Sequence, residues 1–441
     1  MTETSAAPSA AGSTWTCPFC PLACDHLGVG FGDATPPLVL RGGDCARASR
    51  ALAQFGATPS NAAAQVDGQP CDLATAVAAA ARLLDASRQP LFGGLGTDVA
   101  GARALYPLAC ATGAICDAGA GEALMHGLRA LQDRGQFTTT LAEVRTRADL
   151  IVFVGGLPTD LAPLMAERCG IGDAQMPQRH VVVLGPAAGD AATLARWARQ
   201  GGVSTEALAL HGDLFDTLAL LSALLFAQVA ERPLPAAPDA LRALAARLRA
   251  ARYAVLVGTP ARLPAQGALI VEAVHQVVGS LNRGTRAAAL WIGGGNGAAT
   301  VNQVFAWLSG LPLRSRAGPR GLEHEPLLFD ATRLLADAAV DSLLWVSSFD
   351  AEAVPPPNRL PMVVLGHPAL AAAAFDKRAE LPTVFIPVAT PGIGSAGHLF
   401  RTDGTVLMPL TAVRQDELAS VADVLARITS ALHVSREGAA V

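Results

Sequence analysis

The sequence is poor in charged residues, which make up 16% of its 441 residues, and lysine is almost absent. The formal net charge is −4, and arginine and lysine form no cluster along the chain. This balance argues against a surface for nucleic acid. Because 51% of the residues are apolar, we expect a large core and a protein that is partly buried in an assembly of subunits.

Signals for export or membrane insertion are also lacking. The N-terminal sequence MTETSAAPSAAGST has no basic segment followed by an apolar one, as a signal peptide would have. The longest apolar run, at 217–230, is too short to cross a bilayer and predicts a buried helix. We therefore expect a cytoplasmic protein that does not contact a membrane. Thiols stay reduced in that compartment, so the eight cysteines are not expected to form a disulfide framework.

Four of the cysteines form a motif. Cys17, Cys20 and Cys24 have the spacing C-x2-C-x3-C, and Cys45 follows in the segment GGDCARAS. Four thiolates at such positions can hold a [4Fe–4S] cluster or a tetrahedral zinc ion. The uneven spacing suits the iron–sulfur cluster better, since zinc sites favour two C-x2-C pairs. A compact cysteine-rich loop without metal is the third interpretation, and the spacing leaves all three open.

Apolar strands alternate with helical segments along the rest of the chain. The strand-like segments DLIVFVGG and HVVVLGP in the first half are echoed by VDSLLWVSS and MVVLGHPA in the second. A helix is predicted after Asp72, which can cap it. The alternation is typical of parallel sheets covered by helices. We therefore predict an α/β fold with two related doubly wound α/β domains, preceded by a small Cys-rich N-terminal lobe.

The predicted boundaries follow the changes in composition. A proline-rich segment at 231–239 is the expected linker between the two domains. The units are a flexible tail at 1–13, the lobe at 14–60, the first α/β domain at 61–230, the second at 231–389, and a C-terminal hairpin and helix at 390–441.

Several segments resemble the molybdopterin oxidoreductase family and, within it, the B subunit of formylmethanofuran dehydrogenase. They are the cysteine loop ending in Cys24-Asp25, GDCARAS, ALQDRGQFTTTLAEVRTRADLIVFVGGLPTD, LNRGTRAAALWIGGGNGAATVNQVFAWLSGLP and HLFRTDGTVLMPL. The resemblance covers nearly the whole chain and implies this family's fold without its C-terminal β-barrel domain. It also implies that Gly293, Gly295 and Asn296 lie in a vestigial pterin region, with tight turns at strand ends as the alternative.

One position departs from the family pattern. In the resembling dehydrogenases a cysteine or selenocysteine ligates tungsten or molybdenum, and counting back from the QDRG segment puts Ala123 at this position. An alanine provides no ligand, so we expect no molybdopterin or tungstopterin and no redox reaction in this chain. The alternative is an active tungsten or molybdenum subunit in which Cys116 or His126 has become the ligand.

A group of relatives fits this loss. Methylotrophic bacteria contain formyltransferase/hydrolase complexes whose B subunit is similar to that of formylmethanofuran dehydrogenase. In them, a formyl group moves from a tetrahydromethanopterin carrier to a methylofuran-type carrier and is hydrolysed to formate. The resemblance implies that other subunits do this chemistry and that this chain is a scaffold without catalytic residues, reaching the carrier through the complex. A metal-stabilised interaction protein without a role in C1 metabolism is the third hypothesis.

Overall fold

The computed structural model describes residues 15–32, 38–56, 62–119, 121–229, 236–293, 295–378 and 380–439. The predicted tail at 1–13 and the first part of the predicted linker lie outside the described residues.

Strands and helices alternate along most of the chain. The strands, in chain order, are β1 (Gly28–Phe31), β2 (Leu38–Arg41), β3 (Ala64–Val66), β4 (Gln69–Cys71), β5 (Pro90–Gly96), β6 (Ile115–Cys116), β7 (Leu150–Val154), β8 (Arg179–Leu184), β9 (Val203–Leu208), β10 (Tyr253–Gly258), β11 (Arg286–Trp291), β12 (Ser315–Gly318), β13 (Gly321–His324), β14 (Ser342–Ser347), β15 (Met362–Gly366), β16 (Thr383–Pro387), β17 (Gly397–Phe400) and β18 (Leu407–Leu410). The α-helices are α1 (Ala46–Leu52), α2 (Leu73–Ala86), α3 (Val99–Thr112), α4 (Gly121–Arg134), α5 (Leu141–Arg147), α6 (Met165–Arg168), α7 (Asp190–Trp197), α8 (Leu214–Val229), α9 (Asp239–Ala250), α10 (Gly267–Leu281), α11 (Ala298–Ser309), α12 (Ala331–Ala336), α13 (Ala371–Phe375) and α14 (Val421–Ala439).

Two large sheets organise the fold. The first has the strand order β13-β12-β6-β5-β14-β15-β16-β3-β4. Its central strands, from β6 to β16, are parallel, and short antiparallel strands flank them. The second sheet is parallel throughout, with the order β11-β10-β7-β8-β9. The prediction of an α/β fold is therefore confirmed at the level of a mixed α/β protein with several sheets.

The strands do not divide between the sheets at the predicted domain boundary. Residue 230 lies between β9 and β10, which both belong to the five-stranded sheet. Strand β5 from the first half pairs with β14 from the second, in the register Leu91 with Leu343. The predicted domains at 61–230 and 231–389 therefore do not correspond to one sheet each. The pattern of apolar residues in a strand indicates that the strand is buried, but not which strand it pairs with. Here the paired strand is distant in the sequence.

Local signals for individual elements agree with the structure. The Asp72 side chain accepts a hydrogen bond from the Thr75 N–H and caps α2, whose residues Val77, Ala80 and Leu84 are buried. Residues 217–229 of the predicted apolar run fall on α8, and residue 230 lies outside the described residues. In the described ranges, no helix combines the length and apolar character that crossing a bilayer would require.

The predicted C-terminal hairpin and helix correspond to β17, β18 and α14. The two strands pair antiparallel, with Phe400 opposite Leu407. The predicted Asp-Gly turn lies in the loop between them, where Gly404 has a φ of +68°. This left-handed conformation favours glycine over residues with a Cβ. Helix α14 packs against α2 and α3.

The N-terminal cysteine segment packs onto the five-stranded sheet. Trp15, Phe19 and the four motif cysteines share one apolar cluster with residues of that sheet such as Phe153 and Val257. The Trp15 indole N–H also donates to the Gly392 carbonyl oxygen at 2.7 Å. These contacts fix the cysteine loop between the sheet and the C-terminal part of the chain.

Candidate functional site

The four motif cysteines lie together in a buried loop and at the start of α1. The loop is closed by the Cys17 N–H, which donates to the Cys24 carbonyl oxygen at 2.8 Å, and by the Ala23 N–H, which donates to the Cys20 carbonyl oxygen at 3.2 Å. Cys45 is the residue that precedes α1. All four side chains are at most 7% exposed. The sequence motif is therefore a single thiol cluster in space.

The sulfur atoms interact with one another. A hydrogen bond from the Cys24 thiol lowers the pKa of Cys20 to about 7, because it stabilises the Cys20 thiolate. The same bond raises the pKa of Cys24, which must keep its proton to donate. Burial raises the pKa of Cys17 and of Cys45, and the nearby Cys20 thiolate raises both further.

The backbone around the cluster is arranged to stabilise thiolates. Backbone N–H groups of Phe19 donate to Cys17, those of Leu22 and Ala23 to Cys20, and those of Arg47 and Ala48 to Cys45. The donor chemistry thus fits a metal held by thiolates. Across the described ranges, however, no three cysteine, histidine or acidic side chains surround a common point as metal ligands would. The four side chains would have to turn toward a shared centre to bind one.

The predicted glycine loop adjoins the cysteine loop. The Gly293 N–H donates to the Thr402 hydroxyl at 3.2 Å, and the Thr402 N–H donates to the Pro21 carbonyl oxygen at 2.9 Å. Gly295 faces the same loop, since a Cβ built on it would lie 3.6 Å from Pro21 Cδ. The backbone of Asn296 forms a 3-10 turn with its neighbours, and its side chain lies outside the described structure.

A second glycine-rich segment, at the end of β5, touches this loop. Gly297 has a φ of +88°, and a Cβ built on it would lie only 2.2 Å from the Thr97 carbonyl oxygen. Thr97 directly follows β5 and ends the segment GGLGT at 93–97, whose first four residues are the last four of that strand. Position 297 therefore needs glycine, because the backbone of Thr97 approaches it closely and its φ is in the left-handed region.

Ala123 lies in the first turn of α4 and lines a cavity of about 630 Å³. Cys116 does not line this cavity: it is 1% exposed, lies in β6 and belongs to an apolar core cluster. Burial raises the pKa of the Cys116 thiol. His126 is 2% exposed and also does not line the cavity. The structure thus places Ala123 at the cavity and both alternative ligand candidates away from it.

A buried ion-pair cluster at this cavity was not predicted from the sequence. Arg314 is 1% exposed, and its guanidinium lies 3.3 Å from Asp117, 3.1 Å from Glu122 and 2.5 Å from Asp330. Burial raises the pKa of Asp117 to about 6, although Arg314 opposes this shift. Asp117 and Glu122 belong to one segment, but Arg314 and Asp330 come from parts of the chain about 200 residues further on, so no local motif marks the cluster.

Comparisons with known proteins identify the family. No protein-family model matches the chain. It is 32% identical over 346 residues to the B subunit of the formyltransferase/hydrolase complex Fhc of Methylorubrum extorquens, covering 77% of this chain and 88% of that one. It is 26% identical over 364 residues to the B subunit of the tungsten-containing formylmethanofuran dehydrogenase 2 of Methanocaldococcus jannaschii, covering 77% and 78%.

A solved structure gives the same result. The crystal structure of the formyltransferase/hydrolase complex (FhcABCD) of Methylorubrum extorquens with methylofuran contains a chain that matches with a TM-score of 0.70 and 30% identity. The match covers 85% of this chain and the whole of that chain. The protein therefore belongs to the family of B subunits of the formyltransferase/hydrolase complex, which are similar to the B subunit of formylmethanofuran dehydrogenase.

Proposed function

We propose that this chain is a non-redox scaffold subunit of a formyltransferase/hydrolase complex in C1 metabolism. Its partners are the other subunits, which transfer a formyl group from a tetrahydromethanopterin carrier to a methylofuran-type carrier and hydrolyse it to formate. The similarity to the B subunit of such a complex, and to a structure of that complex with methylofuran, supports this role. The chain works in the cytoplasm and meets the carrier through the complex.

The observation that carries the non-redox assignment is the side chain of Ala123. It lines the cavity in which the resemblance to the dehydrogenases locates a metal ligand, and a methyl group donates no electron pair. Cys116 is packed in the core, and its thiol is held in the protonated form by burial. A thiol in that state is a poor ligand because metals bind the thiolate. These positions favour the scaffold over an active tungsten or molybdenum subunit.

The four motif cysteines are proposed to hold a metal that stabilises the lobe. Cys17, Cys20, Cys24 and Cys45 are buried, and three of the sulfurs accept backbone N–H groups. A [4Fe–4S] cluster is the first choice from the motif spacing and zinc the second. When bound, such a metal would crosslink the loop to the start of α1, and its binding energy would add to folding stability.

The deciding experiment is elemental analysis for iron, zinc, tungsten and molybdenum on the complete complex purified without air. We expect no stoichiometric tungsten or molybdenum and no formate-dependent reduction of a viologen dye. Formyl transfer and hydrolysis should proceed in the same preparation. Stoichiometric tungsten or molybdenum together with dye reduction would overturn the proposal in favour of an active dehydrogenase.

A further inference from the structure

The side chains around the cavity beside Ala123 carry more negative than positive charge, and a scaffold role does not require this excess. Asp117, Glu122 and Asp330 line it, and Arg314 pairs with all three from behind. We propose that the cavity is a binding site for a small organic ammonium ion, a primary amine on a short apolar or aromatic body.

The charges around the cavity favour a cation. Three carboxylates face one guanidinium, and the guanidinium is 1% exposed. Glu122 also lies 3.7 Å from the imidazole Nδ1 of His126. Burial lowers the pKa of that histidine, so it adds no positive charge at neutral pH. The cluster therefore carries excess negative charge, and a bound cation would reduce it.

One acceptor at the base of the cavity has no donor. Asp117 is 1% exposed, and its Oδ2 accepts the Ala331 N–H at 2.9 Å and lies 3.3 Å from Arg314 Nε. Its Oδ1 has no hydrogen-bond partner. A buried acceptor without a donor costs free energy that a ligand N–H can recover. Gly121 lies close beside this carboxylate, since a Cβ there would lie 2.1 Å from Oδ1, so any larger residue at this position would crowd the acceptor.

The rest of the wall suits an apolar body. Trp345, Leu335 and Pro356 line the cavity, and the Trp345 indole is fixed by its N–H, which donates to the Ala353 carbonyl oxygen at 2.9 Å. Few polar groups within apolar walls are typical of sites for small organic ligands. In the described parts of the chain, the acidic side chains are not arranged as metal ligands. An organic ammonium ion therefore fits this site better than a metal ion.

The inference rests on the proposed function, because a metal–pterin cofactor would fill the same cavity. The test is isothermal titration of the complete complex with benzylamine, a cation at about pH 7, and with neutral benzyl alcohol. We expect one benzylamine per copy of this chain, bound at least about tenfold more tightly than benzyl alcohol, and weaker binding at high salt. Equal affinities, or no binding of benzylamine, would overturn the inference.

Matched variants locate the binding. Ala123→Leu narrows the cavity and should weaken the titration signal, whereas Ala195→Leu at an exposed position of α7 should preserve it. Glu122→Gln removes one half-exposed carboxylate and should weaken binding severalfold without loss of folding. Unchanged binding in Ala123→Leu would contradict the assigned site. Metal analysis distinguishes failure of the proposed function from failure of this inference. Stoichiometric tungsten or molybdenum would refute the proposed function. If the complex contains neither metal and does not bind benzylamine, only this inference is refuted.

Discussion

The carboxylate of Asp117 lies 3.3 Å from Nε of Arg314, and both side chains are almost completely buried. Asp117 follows β6, and Arg314 precedes β12, which pairs with β6. This ion pair therefore ties the antiparallel edge of the nine-stranded sheet to the segment that leads into α4, the helix that carries Ala123.

Arg314→Met should destabilise the protein strongly. The change leaves the buried carboxylate of Asp117 without its partner, which costs on the order of 3 to 5 kcal/mol in comparable cases. Denaturant unfolding of the variant would measure this loss. As a control, Arg333→Met breaks an exposed pair with Asp337 and should cost less than about 1 kcal/mol. Similar losses in the two variants would contradict a special role for Arg314.

The buried His275 should make the protein less stable in acid. Its Nδ1 lies 3.3 Å from the Phe137 backbone nitrogen and its Nε2 lies 3.2 Å from the Trp291 indole nitrogen, and the neutral ring accepts a hydrogen bond at one of these two atoms. A protonated imidazole accepts no hydrogen bond, and burial lowers the pKa of His275 to about 4. The stability that this residue contributes is complete above its unfolded pKa near 6.5 and is lost as the pH falls to about 4, a change on the order of 3 kcal/mol.

The measurement compares unfolding free energies of wild type and His275→Gln across this pH range. Glutamine keeps an acceptor but does not titrate, so the variant should lose less stability in acid than the wild type. His398→Gln alters an exposed histidine and should follow the wild-type curve. Parallel curves for all three proteins would mean that His275 does not contribute to acid sensitivity.

The double change Cys20→Ser and Cys24→Ser tests the thiol cluster. If the four thiolates hold a metal, the variant should melt several degrees lower while the complex keeps its formyl transfer activity. A chelator should lower the melting temperature of the wild type and leave that of the variant unchanged. Cys71→Ser, at a half-buried cysteine outside the cluster, is the control. If neither the double substitution nor the chelator changes the melting temperature, the result would argue against a bound metal.

Gly297→Ala should be more harmful than an ordinary substitution of glycine. Its Cβ would lie 2.2 Å from the Thr97 carbonyl oxygen, and its φ is +88°. Gly310 provides a matched control, because it has a φ of +76° but no atom near the position of a Cβ. Gly310→Ala should lower the free energy of unfolding only by the conformational cost of a left-handed residue, about 1 to 2 kcal/mol. Gly297→Ala should lower it clearly more. Equal losses of unfolding free energy in the two variants would show that the close contact between Gly297 and Thr97 does not require glycine.

Local features of this fold could be predicted from the sequence. Asp72 caps α2 through the adjacent backbone, and the apolar spacing of α2 identifies its buried face, so a short window contains the information. The resemblance of longer segments was enough to predict the family, which the comparisons confirm. The arrangement of the four cysteines around a metal stays a prediction.

Long-range relationships could not be predicted in the same way. The pairing of β5 with β14 depends on how two distant strands meet, and either strand alone shows only that it is buried. The cluster around Arg314 also forms only where distant segments of the chain meet in the fold. Arginine, aspartate and glutamate usually lie at the surface, and only the folded chain brings Asp117, Glu122 and Asp330 around this guanidinium.

The strands of the five-stranded sheet lie in the chain between β6 and β12, which belong to the nine-stranded sheet. This arrangement sets an order in which the two sheets can form during synthesis. All strands of the five-stranded sheet, from β7 to β11, are contiguous in the chain, so this sheet can form as soon as that stretch has left the ribosome. Strand β5 is synthesised earlier and can pair with β6, but its other edge stays unpaired until β14 has been made. Nascent β5 and β6 are therefore where chaperones or partner subunits have most reason to engage this chain before it is complete.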